Sequence, residues 1–404
     1  MKKIVLTILL GLLVAPLLAA LKDWRIAPYY NFSLDQGVSL PSVGDWDYTI
    51  NLTNDVGLIV KPTAEDSVVG FYEIKYVGPG LRTQEGEKFS DRYMDHLVVA
   101  RYQRTILTDW QLKFQTNYLT EYRLTGANEL WGQGLYDFNQ LGIKLAVTKP
   151  LGEVKLTGGL QLSTIRFPNY TDLLSEIQTS TSTTVESSAG KQDQNNYQLS
   201  LGASYGETYA ELDYIFQNYL KQKVVTDRVQ PDGSYYSSDL QRDGILAFQL
   251  AREQKIPGLE WLKIIPELNW RLRFSNQNYQ HFENIGDTVP VRYFSNYFSY
   301  SEIIFSLPVY LATSKSWEIS LIPQWDIKTY ADRPARADDG SFLDAKQSNN
   351  IFLITLGLNH HYSQTATTTI FYTYQSSSSN MKYEKYLPYN YTGHYIGFKY
   401  SLHF

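Results

Sequence analysis

The sequence contains no cysteine. That absence excludes disulfides, zinc–thiolate sites, cysteine nucleophiles and a lipidated thiol anchor. Beyond residue 20 it also lacks any apolar run approaching the roughly 18 residues that a membrane-spanning helix requires. Net charge is small as well: the formal value of −5 implies neither nucleic acid nor any one class of charged partner. Histidine is scarce, and none of His96, His281, His360, His361, His394 and His403 stands at a metal-ligand spacing such as HExxH. Adjacent residues on a strand point to opposite faces, so His360 and His361 cannot converge on one ion. The glycines of WGQGLYD (131–137) lack the lysine of a nucleotide cradle. No catalytic residue, no metal and no cofactor is therefore expected, although Ser–His or Asp–His partners that meet only in space stay open.

What is present points in one direction. Residues 1–20, MKKIVLTILLGLLVAPLLAA, carry two lysines, an apolar core and small residues at Ala19 and Ala20, the layout of a secretory signal peptide. Residues 21–404 are expected to form one domain, because tyrosine, threonine, asparagine and glutamine are spread evenly along them. The 33 tyrosines and 8 tryptophans accompany a negative mean hydropathy. An exported chain that is aromatic-rich yet polar on average fits strands with one face in lipid and the other in water.

Period-two alternation supports this repeatedly. Leu268, Trp270, Leu272 and Phe274 alternate with Glu267, Asn269, Arg271, Arg273 and Ser275 within an expected strand over 261–279. Segments 208–219, 317–330, 196–205, 140–148 and 111–123 follow the same rule, whereas 93–103 and 297–310 place apolar residues on both faces. Connections alternate too. Short polar turns fall at 61–66, 107–109, 149–152, 206–207, 256–260, 312–316 and 363–366. Longer loops fall at 35–45, 78–92, 124–137, 168–194, 226–238, 280–288, 331–347 and 376–390. The count gives an all-β, single transmembrane antiparallel β-barrel of about 16 strands, with 14 or 18 as alternatives, short periplasmic turns and long extracellular loops.

Aromatic placement adds a membrane expectation. Trp24, Trp110, Trp261 and Trp317 each begin a strand at the short-turn rim, joined there by Tyr205, Tyr310, Tyr362 and Phe404. A second belt runs through Tyr76, Tyr93, Tyr122, Tyr136, Phe167, Tyr219 and Tyr330. The chain ends on HYIGFKYSLHF, in which Ile396, Phe398, Tyr400, Leu402 and Phe404 share one face. An edge strand of a soluble sandwich is the alternative reading of that segment.

With these alternations and this ending, the chain resembles the bacterial outer-membrane β-barrel class, whose members commonly end in an aromatic residue on an alternating strand. The resemblance is to a class and names no porin family. It implies an outer-membrane location, membrane lipid and the barrel-assembly machinery as partners, and Tyr400, Leu402 and Phe404 as an assembly signal. The segment SSSSNMKYEKYLPYNY (376–391) resembles the final loop of barrels that serve surface-polymer or protein export.

Charges on the polar face must avoid lipid. Lys113, Glu121, Arg123, Glu267, Arg271, Arg273, Asp326, Lys328 and Lys399 are expected to line a pore, together with Lys144, Glu153, Lys155, Glu211 and Asp213. The function expected is passive diffusion of small hydrophilic solutes, without a reaction. Export of a surface polysaccharide or protein, and a barrel enzyme acting on lipid or peptide, are the alternatives; oligomeric state is not readable.

Overall fold

Strands of this composition cannot satisfy their backbone groups alone, and in lipid an unpaired edge is untenable, so the sheet must close. A computed structural model describes residues 24–79, 92–107, 109–124, 130–170, 190–231, 233–283, 290, 292–384 and 388–404. The expected signal peptide (1–20) lies outside these. The chain forms β1 (Arg25–Pro41), β2 (Asp47–Lys61), β3 (Asp66–Pro79), β4 (Arg92–Ile106), β5 (Trp110–Leu124), β6 (Phe138–Leu151), β7 (Val154–Arg166), β8 (Gln194–Tyr205), β9 (Thr208–Val225), β10 (Tyr236–Arg252), β11 (Gln254–Ile256), β12 (Leu259–Ile264), β13 (Glu267–Ser275), β14 (Tyr279–His281), β15 (Arg292–Phe294), β16 (Tyr300–Ser306), β17 (Val309–Ala312), β18 (Trp317–Arg336), β19 (Phe342–His361), β20 (Ala366–Ser379) and β21 (Tyr391–His403). β14 and β15 make a separate hairpin within one loop; the other nineteen segments form one sheet. Three barrel strands are each interrupted once, as β10/β11, β12/β13 and β16/β17, which leaves sixteen antiparallel strands.

Proline explains two of the interruptions. Pro266 and Pro308 have no N–H to give to the ladder. Pairing crosses the breaks through carbonyls instead: Arg252 donates to Pro266 O (3.2 Å), Ile265 to Pro308 O (2.8 Å) and Leu307 to Pro323 O (3.0 Å). The strand expected over 261–279 is corrected accordingly: it breaks at residues 265–266, and Tyr279 belongs to the loop hairpin.

The last strand closes on the first. β21 pairs antiparallel with β1, placing Leu402 opposite Phe32, Tyr400 opposite Leu34 and Gly397 opposite Gly37. Beyond β21, Phe404 and Tyr30 exchange backbone hydrogen bonds of 2.9 and 3.0 Å, and their rings lie 5.2 Å apart. Gly37 and Gly397 make the seam close-fitting. A Cβ on Gly37 would lie 2.4 Å from the Ile396 carbonyl oxygen and 2.8 Å from the Gly397 Cα. The rings of Tyr395 and Phe371, 5.4 Å apart, pack beside these glycines, as aromatics do over glycines in barrels. Gly37→Val is expected to cost about 1–3 kcal/mol through overpacking, seen as a lower urea midpoint of the heat-modifiable folded band. An unchanged midpoint would contradict this account of the seam.

Connections differ sharply between the rims. One rim carries turns of two to four residues and both ends of the described chain; the other carries connections of five to twenty-seven residues. Gly152 and Gly206 open two-residue turns at φ +62° and +55°, a backbone region that glycine enters without a Cβ penalty. Two expected long loops are shorter than read. β1 and β2 run on to Pro41 and from Asp47, and β18 and β19 extend to Arg336 and from Phe342. Register shifts between Thr329, Pro334 and Arg336 break the alternation there and hide the extension.

Candidate functional site

Pairing register sorts side chains into two faces. Leu199 and Leu201 of β8 lie opposite Leu160 and Gly158 of β7 and Tyr214 and Leu212 of β9, and Leu201 is 65% exposed. Val56, Val98, Ile143, Phe274, Ile303, Ile327, Leu356, Ile370 and Ile396 continue this exposed apolar face around the sheet. The opposite, concave face is crowded by curvature: Asp243 is 0% exposed, Asp55 4% and Ser200 6%. A continuous apolar exterior, a polar interior, an even strand number and one rim of short turns are the features of a membrane barrel. The chain has the outer-membrane β-barrel fold.

No family model and no curated protein matches the chain. Solved structures with a similar outline include the loop L8 deletion mutant of OmpT, an outer membrane protein of Vibrio cholerae, at 12% identity, covering 94% of this chain and 100% of that one with a TM-score of 0.45. A bacterial polysaccharide outer membrane secretin aligns at 9% identity over 93% and 98% of the chains, TM-score 0.47. An anion-selective porin from Comamonas acidovorans aligns at 10% identity over 94% and 100%, TM-score 0.43. Likenesses at this level carry nothing about activity.

The nine residues read as pore-lining all occupy the concave face by register, on four strands. Glu121 and Arg123 are on β5 with Lys113; Glu267, Arg271 and Arg273 on β13; Asp326 and Lys328 on β18; Lys399 on β21. Glu153 departs from expectation, because it sits in the turn between β6 and β7. Two arcs of the wall differ in how their charges are arranged. Across β13, β16 and β18, Arg271, Glu302 and Lys328 stand in one row, with ion-pair distances of 3.6 and 3.2 Å to Glu302. Next to them Arg273 Nη2 donates to buried Asp243 of β10, which also accepts from Gln241 Nε2 at 3.2 Å. That arc neutralises itself.

The arc from β2 to β6 gathers its acids, with Lys75 opposite Asp95, farther from the short-turn rim than a separate group of cations. Asp55 lies directly opposite Glu73, and Asp95 directly opposite Glu121. Like charges at directly opposed positions are unfavourable. Tyr29 and Asn31 donate to Asp55 Oδ2 at 3.4 and 3.0 Å, while its Oδ1 has no hydrogen-bond partner among the described residues. Arg123 reaches Glu121 at 2.8 Å. Nearer the short-turn rim, Arg101, Lys113 and Lys144 occupy two neighbouring rows on β4, β5 and β6. Arg101 Nε donates to Gln115 Oε1 at 2.8 Å, and none of the three cations has an ion-pair partner among the described residues.

Asp55, Glu73, Asp95, Arg101, Asp243 and Glu302 were not among the nine. Phe71, Leu97 and Val99 share the inward face with these acids on β3 and β4, so alternation there looks two-sided in sequence. Asp243 follows a register irregularity between Leu240 and Arg242 that resets the parity. The pairing of rows, which only the register supplies, is the signal that sequence lacked.

The aromatic belts are partly redrawn. Trp24, Trp110 and Trp317 share parity with the outer residues Ile26, Leu112 and Ile319, whereas Trp261 shares the inward parity of Lys263. Tyr310 also turns inward beneath the Lys263 ammonium, 4.7 Å from its ring centroid. In the second belt, Tyr93, Tyr219 and Tyr330 face inward, and Lys75 stands over Tyr93 at 5.2 Å. Tyr93, Tyr310 and Tyr330 lie against cations instead of meeting headgroups. Tyr400 and Leu402 are on the outer face and Phe404 is 60% exposed at the short-turn rim. His360 packs outside against Trp317, ring centres 4.4 Å apart and tilted, while His361 Nδ1 meets Thr367 Oγ1 inside at 3.0 Å.

Among the long connections, three converge. Arg333 stands over Tyr297 (4.4 Å) and Tyr330 (4.0 Å), Arg336 over Phe342 (4.8 Å) and Tyr383 (4.2 Å), and Tyr279 stacks on Tyr297 at 4.5 Å. Glu384 in the last connection accepts from the Asn390 side chain at 2.6 Å and from the Tyr389 and Asn390 amides, which hold its carboxyl below the ordinary range, the Asn390 side chain foremost.

Proposed function

We propose that the protein is a channel of the bacterial outer membrane, reached by signal-peptide-dependent export, through which small hydrophilic solutes diffuse without a chemical step or cofactor. The observation that carries this is the group of inward cations Arg101, Lys113 and Lys144, none with an ion-pair partner among the described residues of the concave wall. In a dry, low-dielectric interior such uncompensated charges would be costly, whereas water solvates them. Sixteen strands also enclose more volume than side chains fill.

Segregated charges on the β2–β6 arc would bias which ions pass. Lys113 and Lys144 are the suitable probes, since among the described residues neither has an ion-pair partner and Arg273 is tied to Asp243. Replacing both with glutamate is expected to move the zero-current potential of the reconstituted protein in a potassium chloride gradient towards the cation, with the barrel still heat-modifiable. A potential indistinguishable from that of the unaltered protein would remove these residues from the solute path.

A further inference from the structure

The outer wall holds an open groove of about 620 Å³ near the short-turn rim, across β6 to β10. Gly158, Ala203 and Ala210 form its floor, and an added Cβ on Gly158 would meet nothing within 4 Å. Leu156, Leu201 and Leu212 wall it. A closed apolar cavity of ~150 Å³ holds benzene, so this groove accommodates a considerable length of hydrocarbon chain. Its polar end is equally defined. Lys149 lies in the lining, its ammonium 4.7 Å from the centre of the Trp110 ring, two residues before the last residue of β6. Arg252, on the outer face of β10 opposite Thr208 of β9, stands at the same rim four strands from Lys149 and outside the groove's lining. Among the described residues neither cation has a carboxylate within ion-pair distance.

An apolar channel in the wall with Lys149 and an indole at one end has the polarity of one amphiphile: hydrocarbon in the groove, anionic head at the rim. We infer that this groove is a binding site for one anionic phospholipid of the leaflet on the short-turn side, its acyl chain over Gly158, Ala203 and Ala210 and its phosphate at Lys149. A second copy of the chain would fill the apolar part but brings no stated anion to Lys149. The site rests on the reading of the barrel as membrane-inserted.

The test is native mass spectrometry of the refolded barrel, titrated in detergent with phosphatidylglycerol or phosphatidylcholine of identical chains. The expected result is one retained phosphatidylglycerol, favoured over phosphatidylcholine by about fivefold, as one cation near a phosphate supplies. Lys149→Gln should erase the preference while leaving weak retention of both lipids. Gly158→Leu with Ala203→Leu, both lipid-compatible changes, should remove retention altogether. Equal retention of both lipids by the unaltered protein, or undiminished retention by the filled groove, overturns the site. An oligomer that the filled groove dissociates assigns the face to a second copy and overturns it too. Failure of the membrane reading is told apart beforehand: the unaltered chain would then show no heat-modifiable band after refolding with vesicles, and the lipid site falls with it.

Discussion

Replacing Asp243 with alanine is expected to lower the unfolding free energy by about 3–5 kcal/mol, the usual cost of stripping one partner from a buried ion pair. Asp243 is fully buried and receives both Arg273 and Gln241. Gln241 in turn accepts from Gln277, whose side chain also bonds the backbone of Lys223 and Val225. One carboxylate thus ties β9, β10 and β13 together where the wall approaches the long connections. Without it, the Arg273 guanidinium remains on the wall with its Nε already unpartnered. Urea unfolding followed by tryptophan fluorescence reads the loss. Joint replacement by Leu at 243 and Met at 273 should recover most of it, because a matched apolar pair leaves no orphan charge. A single variant with an unchanged midpoint would mean that lumen water already solvates the pair.

Arginine placed on the apolar exterior should be the other severe change, and its severity should depend on the bilayer. Leu199→Arg puts a guanidinium at an exposed outer position in the middle of β8, with an expected cost of about 2–4 kcal/mol near the bilayer midplane. Gln198→Arg, one residue earlier and on the inner face opposite Gln161 and Ile215, should change stability little. The comparison is made by reversible folding into phospholipid vesicles across urea. Equal effects of the two substitutions would deny that the apolar face meets lipid.

The architecture was largely legible because a period of two is enforced wherever one face meets lipid. Leu268 to Phe274 and Ile396 to Leu402 show it plainly, and the short turns mark the strand ends. What escaped notice has local causes. At Pro266 and Pro308 missing N–H groups interrupt strands without changing their polarity pattern. At Thr329–Arg336 the register shifts and a strand reads as loop. On β3 and β4, Phe71, Leu97 and Val99 join acids on the inner face, so Asp55, Glu73 and Asp95 did not stand out. Trp261 and Tyr310 show a further limit: an aromatic at a strand end looks the same whether it faces headgroups or stacks inside against Lys263. The distinction between paired and segregated charge is a relation between strands, and no single strand carries it.

Single-channel recording from the refolded protein in a planar bilayer bears most directly on the claim that the charged concave wall encloses a water-filled path. Discrete, ohmic conductance steps are the predicted result, with an ion preference that moves towards cations when Lys113 and Lys144 are replaced by glutamate. A barrel that is heat-modifiable and membrane-inserted yet passes no current would contradict the channel and leave the export reading in its place.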